Sequence, residues 1–231
     1  MIRNCCIRTI FAGGLTGIAL SVGCSNKPAE TSITKIERHQ ASEMEQLAHV
    51  GNFWISEQPT ERDLIWMRDN EVTMVIDVRA RDEDRGFDER AVVVSLGMRY
   101  NPAPLELDQD YTIRYFDFLR ETMRTRRDVP TLIHGSSANR AAAVWMAYRV
   151  LDDKVPYSVA LAEAQIAGLN EEAPRLIVDQ YLMEKGVNIK PKGTAGASSG
   201  ATVTAVDGPD EVIYEITEEK SAPDETDTRR D

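Results

Sequence analysis

Apolar positions along the chain follow two periods, one of two residues and one near 3.6, and they alternate from segment to segment. Val72 to Val78 is β-branched and alternating, which predicts a central strand, and Thr131-Leu132-Ile133-His134 after Pro130 predicts a second buried strand. Phe53-Trp54-Ile55 reads as a first strand, and Arg99 to Asn101 as another, ended by Pro102 and Pro104. Helical spacing fills the gaps. Thr60 is placed as an N-cap with Asp63 three residues on, leading through Leu64, Ile65 and Met67 to Asn70. Phe87 to Leu96 predicts a helix that stops at Gly97, and Tyr111 to Arg124 one whose last turn is basic. Ala141 to Leu151 is apolar on nearly every face and predicts a buried helix, whereas Tyr157–Ala167 and Pro174–Lys185 are amphipathic. The alternation predicts an α/β domain of three layers, a mostly parallel central sheet of about four to five strands with helices on both faces.

The ends of the chain read differently. Residues 1–23 have Arg3 and Arg8 before an apolar run from Ile10 to Val22, too short to span a bilayer, and this is the pattern of an export signal. Leu20-Ser21-Val22-Gly23-Cys24 resembles a bacterial lipobox, with Ser21 where leucine is more usual, so cleavage without lipidation stays open beside lipidation of Cys24. The resemblance implies a protein held to the cell envelope by acyl chains, facing the periplasm, and Ser25 after the cysteine points to the outer membrane. Residues 24–50 read as a polar tether, with a marginal helix possible over Ile36 to Leu47. Residues 51–188 form the folded domain, and 189–231 an acidic, largely disordered tail. Val212-Ile213-Tyr214-Glu215-Ile216 interrupts that tail as an isolated strand-like pentamer, either a segment that docks on an edge or a patch with no role.

Charge and thiol inventory narrow the chemistry. Lys and Arg number 27 and Asp and Glu 38, a net charge of -11, which argues against a nucleic-acid partner for the body of the protein. Any anion site must then be a local positive pocket. The three cysteines are Cys5, Cys6 and Cys24; the first two leave with the signal and the third would carry lipid, so the mature body has neither thiol nor disulfide. His39, His49 and His134 stand apart in sequence, so no metal site and no cofactor is expected.

The candidate chemistry lies between the second buried strand and the buried helix, in His134-Gly135-Ser136-Ser137-Ala138-Asn139-Arg140. Consecutive small residues entering a helix can turn their amides inward as a nest, the helix dipole points its positive end there, and Arg140 can add paired charge-assisted bonds. A phosphate or sulfate would suit such a cradle. The loop resembles the His-Cys-x-x-Gly-Asn-Arg loop of small bacterial dual-specificity-phosphatase-like domains, the group also fused to beta-lactamase-like sulfur hydrolases and related to rhodanese loops. Ile55-Ser56-Glu57-Gln58-Pro59-Thr60, Val75-Ile76-Asp77-Val78-Arg79, Ala160-Leu161-Ala162-Glu163-Ala164 and Gly168-Leu169 extend the resemblance from about Phe53 to Gly186. In that family the residue after His is the cysteine nucleophile; here it is Gly135.

Three readings follow. The first is a catalytically inactive, membrane-anchored pseudophosphatase that binds a phosphate- or sulfate-bearing ligand, or an envelope protein partner, through residues 134–140. The second is a phosphoric-ester hydrolase without cysteine, using Ser136 or a water placed by Asp77 and His134. The third is a structural envelope lipoprotein in which the loop binds nothing. Two roles compete for Arg140, anion binding and pairing with a carboxylate such as Asp77. His134 reads as a hydrogen-bonded core residue, and Asp77, Arg79 and Glu83 occupy the rim where a strand meets its C-terminal loop, with Asp77 and Arg79 as accessories to the site.

Overall fold

Short runs rich in Ile, Val and aromatic residues become strands wherever two faces can be covered. The computed structural model describes residues 34–39, 44–104, 109–189, 201–207 and 211–218. Its strands in chain order are β1 (Thr34–His39), β2 (Leu47–Val50), β3 (Phe53–Ser56), β4 (Met74–Asp77), β5 (Arg99–Pro102), β6 (Thr131–His134), β7 (Ala201–Asp207) and β8 (Glu211–Glu218). Among the described residues they form one sheet in the order β5-β4-β6-β3-β2-β1-β8-β7.

The first four in that order are parallel and in register. Phe53 and Met74 both pair with Thr131, and Met74 pairs with Arg99, so the strands end together at Ser56, Asp77, Pro102 and His134. That shared C-terminal edge is where open α/β sheets place ligands. One face of the sheet is covered by α1 (Glu61–Asp69) and α2 (Glu89–Ser95), packed on Trp54, Val75 and Leu132. The other carries α3 (Gln109–Thr125), α4 (Ala138–Leu151), α5 (Tyr157–Ile166) and α6 (Glu172–Glu184), over Ile55, Ile76 and Ile133.

Local chemistry explains the helix limits. Thr60 caps α1 as expected, its Oγ1 accepting from the Asp63 amide at 3.3 Å while Asp63 Oδ2 accepts from the Thr60 amide at 2.8 Å. Helix α4 is apolar all round because it is surrounded, by β3, α3, α5 and α6, with Trp145, Met146 and Tyr148 all buried. Glu163 of α5, fully buried, takes Arg149 Nε at 2.7 Å, Arg149 Nη2 at 2.8 Å and Trp145 Nε1 at 3.1 Å.

Two expectations about the ends are corrected. The segment read as a tether with a marginal helix contains β1 and β2, and the segment read as a largely disordered tail contains β7 and β8. Val212 to Ile216 is the middle of β8, paired on both sides, with Ile36 opposite Tyr214 and Val206 opposite Ile213. β1 and β8 bury one face only. Ile36 and Ile216 are fully covered while Lys35, Glu37 and Glu215 stay on the polar side, so their mean composition is that of a solvated segment. The export signal and Cys24 lie outside the described residues, and no described helix is long and apolar enough to cross a membrane.

Candidate functional site

Parallel β6 delivers His134 to the C-terminal edge, and the chain turns through Gly135 and Ser136 to Ser137, the N-cap of α4. Ser137 has an extended backbone and makes no side-chain cap, so the first turn of α4 begins with its donors unspent on a capping side chain. Ala138 is buried beneath the turn. It sits so close to Gly168 that a Cβ there would lie 2.6 Å from its own, which is why the α5–α6 connection has glycine at that position.

Gly135 is equally constrained. A Cβ added to it would lie 2.7 Å from the Ser137 carbonyl oxygen. A side chain at position 135, where the family resemblance implies a cysteine, would therefore start against the Ser137 backbone carbonyl. Asn139 differs from the expectation. Its Oδ1 accepts from the amides of Asn170 and Glu171 at 2.7 and 2.8 Å and its Nδ2 donates to Glu171 at 3.0 Å, so it pins the connection between α5 and α6 instead of facing a ligand.

Arg140 does reach the mouth of the loop, and its partner there is a carboxylate. Nη1 donates to Glu83 Oε1 at 2.5 Å, Nη2 to Glu83 Oε2 at 2.5 Å, and Nη2 also to Ser136 Oγ at 2.6 Å. This is a two-pronged grip of the kind arginine gives phosphate and carboxylate alike. The Arg140 side chain is 12% exposed and that of Glu83 28%, so the pair sits at the surface of the loop. The hydrogen bonds from Arg140, ahead of an opposing burial effect, hold the Glu83 carboxyl at about 2, with the Ala80 amide and Ser136 helping. The pairing of Arg140 with Asp77 is thereby replaced by one with Glu83.

Asp77 and Arg79 lie deeper. Both are fully buried, with Arg79 Nε on Asp77 Oδ1 at 2.9 Å, Arg79 Nη2 on Asp77 Oδ2 at 3.0 Å, and Nη2 also on Glu89. Tyr100 donates to Asp77 at 2.7 Å and Arg85 at 3.1 Å. Burial alone would raise the Asp77 carboxyl, but Arg79, the nearby His134 and Tyr100 outweigh it and hold the group well below the usual carboxylate range. His134 Nε2 lies 2.7 Å from Glu89 Oε1, a close contact without hydrogen-bond alignment, and the ring and the carboxylate are both closed to solvent. Asp77, Glu89 and His134 gather donor atoms close enough for a cation, yet the Arg79 guanidinium already supplies that charge between the two carboxylates. This network is a support under the loop. Asp77 and Arg79 are not rim accessories, as their place at the end of the strand had suggested.

Glu89, Tyr100 and Arg85 escaped the sequence reading, because each meets the strand end only through the fold. A cleft of about 440 Å³ opens beside them, lined by Arg81, Arg85, Arg90, Tyr100 and Tyr115 among others, and none of the residues 135–140 lines it.

No family model matches the chain, and no curated protein matches it in sequence. Solved structures do. The DUF442 phosphatase of Shewanella putrefaciens CN-32 superposes with a TM-score of 0.53 at 16% identity, over 62% of this chain and 94% of that one. TpbA of P. aeruginosa follows at 0.48 and 20% identity, covering 62% and 84%. The human tyrosine phosphatase-like serine/threonine/tyrosine-interacting protein stands at 0.48 and 16%, covering 62% and 98%. The likeness is one of fold: over 62% of its length this chain shares the α/β architecture of the Shewanella protein, with parallel central strands and helices on both faces.

Proposed function

We propose that the protein is a non-hydrolytic member of this architecture, lipid-anchored through Cys24 at the bacterial envelope, which recognises a phosphate or sulfate group, free or on an envelope partner, with the loop His134–Arg140. The observation that carries the reading is the grip of both Arg140 terminal nitrogens on the Glu83 carboxylate at 2.5 Å. A carboxylate held this way is a stand-in for an oxyanion with the same fork geometry. Glu83 belongs to the loop between β4 and α2, so an incoming anion must displace it, and apparent affinity falls by the fraction of time the seat is open.

Hydrolysis is disfavoured on chemical grounds. Gly135 offers no nucleophile, and Ser136 Oγ accepts a hydrogen bond from Arg140 Nη2 at 2.6 Å. The carboxylate beside it, Glu83, has a carboxyl held at about 2, far too acidic for a general base near neutrality. His134 is buried behind the loop against Glu89.

Calorimetric titration and thermal shift with inorganic phosphate, sulfate and phosphotyrosine test the proposal. Glu83→Ala should bind at least one of these anions about 10-fold more tightly than the unaltered protein, since it removes the internal competitor, and Arg140→Ala should abolish binding in both backgrounds. A Glu83→Ala protein that is folded and indifferent to all three anions would overturn it.

A further inference from the structure

Two of the three histidines, ten residues apart in sequence, come together on the polar face of the sheet extension. Glu37 and His39 alternate on β1, His49 of β2 is the register partner of Glu37, and Glu211 of β8 is the register partner of His39. Strand pairing therefore places two imidazoles and two carboxylates side by side on one face. His39 and His49, which stand apart in sequence, have ring centroids 5.9 Å apart.

The distances are those of a coordination shell. Glu37 Oε2 lies 3.3 Å from His49 Nδ1 and 3.5 Å from His39 Nε2, and the donor atoms of the three residues all lie within 4.8 Å of one another. Ligands about 2.0–2.1 Å from a tetrahedral zinc ion are separated by roughly 3.3–3.4 Å. His39 Nε2 is closed to solvent and, apart from the 3.5 Å approach of Glu37 Oε2, makes no aligned hydrogen bond among the described residues, a cost that a metal bond removes. The second nitrogen of that ring, Nδ1, faces Glu211 Oε2 at 3.9 Å, the outer carboxylate that commonly orients a metal-bound histidine. Behind the site is an aromatic wall: Trp54 stacks on His49 at 3.9 Å with planes 10° apart, and Trp66 meets Trp54 edge-on at 5.5 Å. The side chains of His39, His49 and Glu37 are 18, 26 and 35% exposed, so the site is lined by protein on one side and open to solvent on the other.

We propose that Glu37, His39 and His49 form a site for a divalent transition-metal ion, zinc in the first instance, with Glu211 as the outer partner of His39 and a solvent-facing position left for water or an external ligand. Two imidazoles and one carboxylate with an open fourth position suit zinc better than the hard, all-oxygen cations. His39 Nε2 lies 3.5 Å from the Glu37 carboxylate without an aligned hydrogen bond, an arrangement that a metal ion between the two would satisfy.

Zinc chloride titrated calorimetrically into the tag-free full-length protein, with Trp fluorescence followed in parallel using Cu²⁺ as quencher through the Trp54–His49 stack, tests this. One equivalent should bind; His49→Ala and His39→Ala should each weaken binding by about 100-fold or more, and Glu211→Gln by about 10-fold. Melting curves in chelator keep loss of the site distinct from loss of the fold, and Glu37→Gln provides a milder second variant expected to weaken binding in the same direction. Absence of saturable binding, or binding that survives in the folded His39→Ala/His49→Ala double variant, overturns the assignment.

Discussion

Gly135 shows how one side chain decides what a loop can do. Restoring the cysteine of the resembled family at this position would place a Cβ 2.7 Å from the Ser137 carbonyl oxygen, a backbone atom that can yield only by moving the turn into α4. Gly135→Cys is therefore expected to lose about 1–3 kcal/mol of stability in urea denaturation, the usual cost of overfilling a packed site, and to gain no turnover of a phenyl phosphate. A variant as stable as the unaltered protein and hydrolytically active would mean that the carbonyl swings aside freely. Arg140 makes the complementary point. Its position at the start of α4 was readable as a cation near an anion seat, but the carboxylate that satisfies it, Glu83, comes from 57 residues earlier in the chain.

At the level of elements, the sheet is assembled from two kinds of strand that sequence treats very differently. The parallel strands β3, β4 and β6 are buried throughout and announce themselves as apolar runs. By contrast, β1 and β8 each bury single residues such as Ile36 and Ile216 against the α5 side and leave their other face polar. Their stability comes from pairing along the full length of β1, Thr34 with Ile216 through His39 with Glu211. Ending the chain after Ile189 would strip β7 and β8 away, open the edge of β1 and uncover Ile36. With roughly 3 kcal/mol lost for the buried apolar contacts, the melting temperature in calorimetry should fall by roughly 6–12 °C. An unchanged melting temperature would show that the extension adds nothing to the folded domain.

The molecule as a whole carries net charge -11, yet among the described residues the carboxyls of Asp77 and Glu83 are clamped by arginine. Glu83 drops from an ordinary 4.5 to about 2, and Asp77 also lies below its ordinary 3.8. A carboxyl depressed in the folded state favours folding above its unfolded pKa, and that contribution is lost as pH falls toward the folded value. Stability measured by denaturant midpoint should accordingly decline between pH 4.5 and about 2. Glu83→Gln should flatten the Glu83 share of that decline; an identical pH profile would mean that the clamp contributes no pH dependence. Acid within the ordinary physiological range does not open the seat, since Glu83 stays ionised there.

The parallel strands and the helices around them were legible because their information is local. Thr60 and Asp63 sit within one capping turn, Val72 to Val78 alternates within one strand, and the all-apolar pattern of α4 declares its own burial. The position of the loop after β6 was equally local, being the break between a strand and a helix. What only tertiary structure decided were the pairings across distance: Arg140 with Glu83, His134 with Glu89 beneath the loop, and β1 with β8 from opposite ends of the chain. The clustering of His39 and His49 with Glu37 belongs with them, because register between strands, not spacing along one, brings those side chains to a common point. Periodicity reports which face of an element is buried; it holds no information about which distant charge will meet it there.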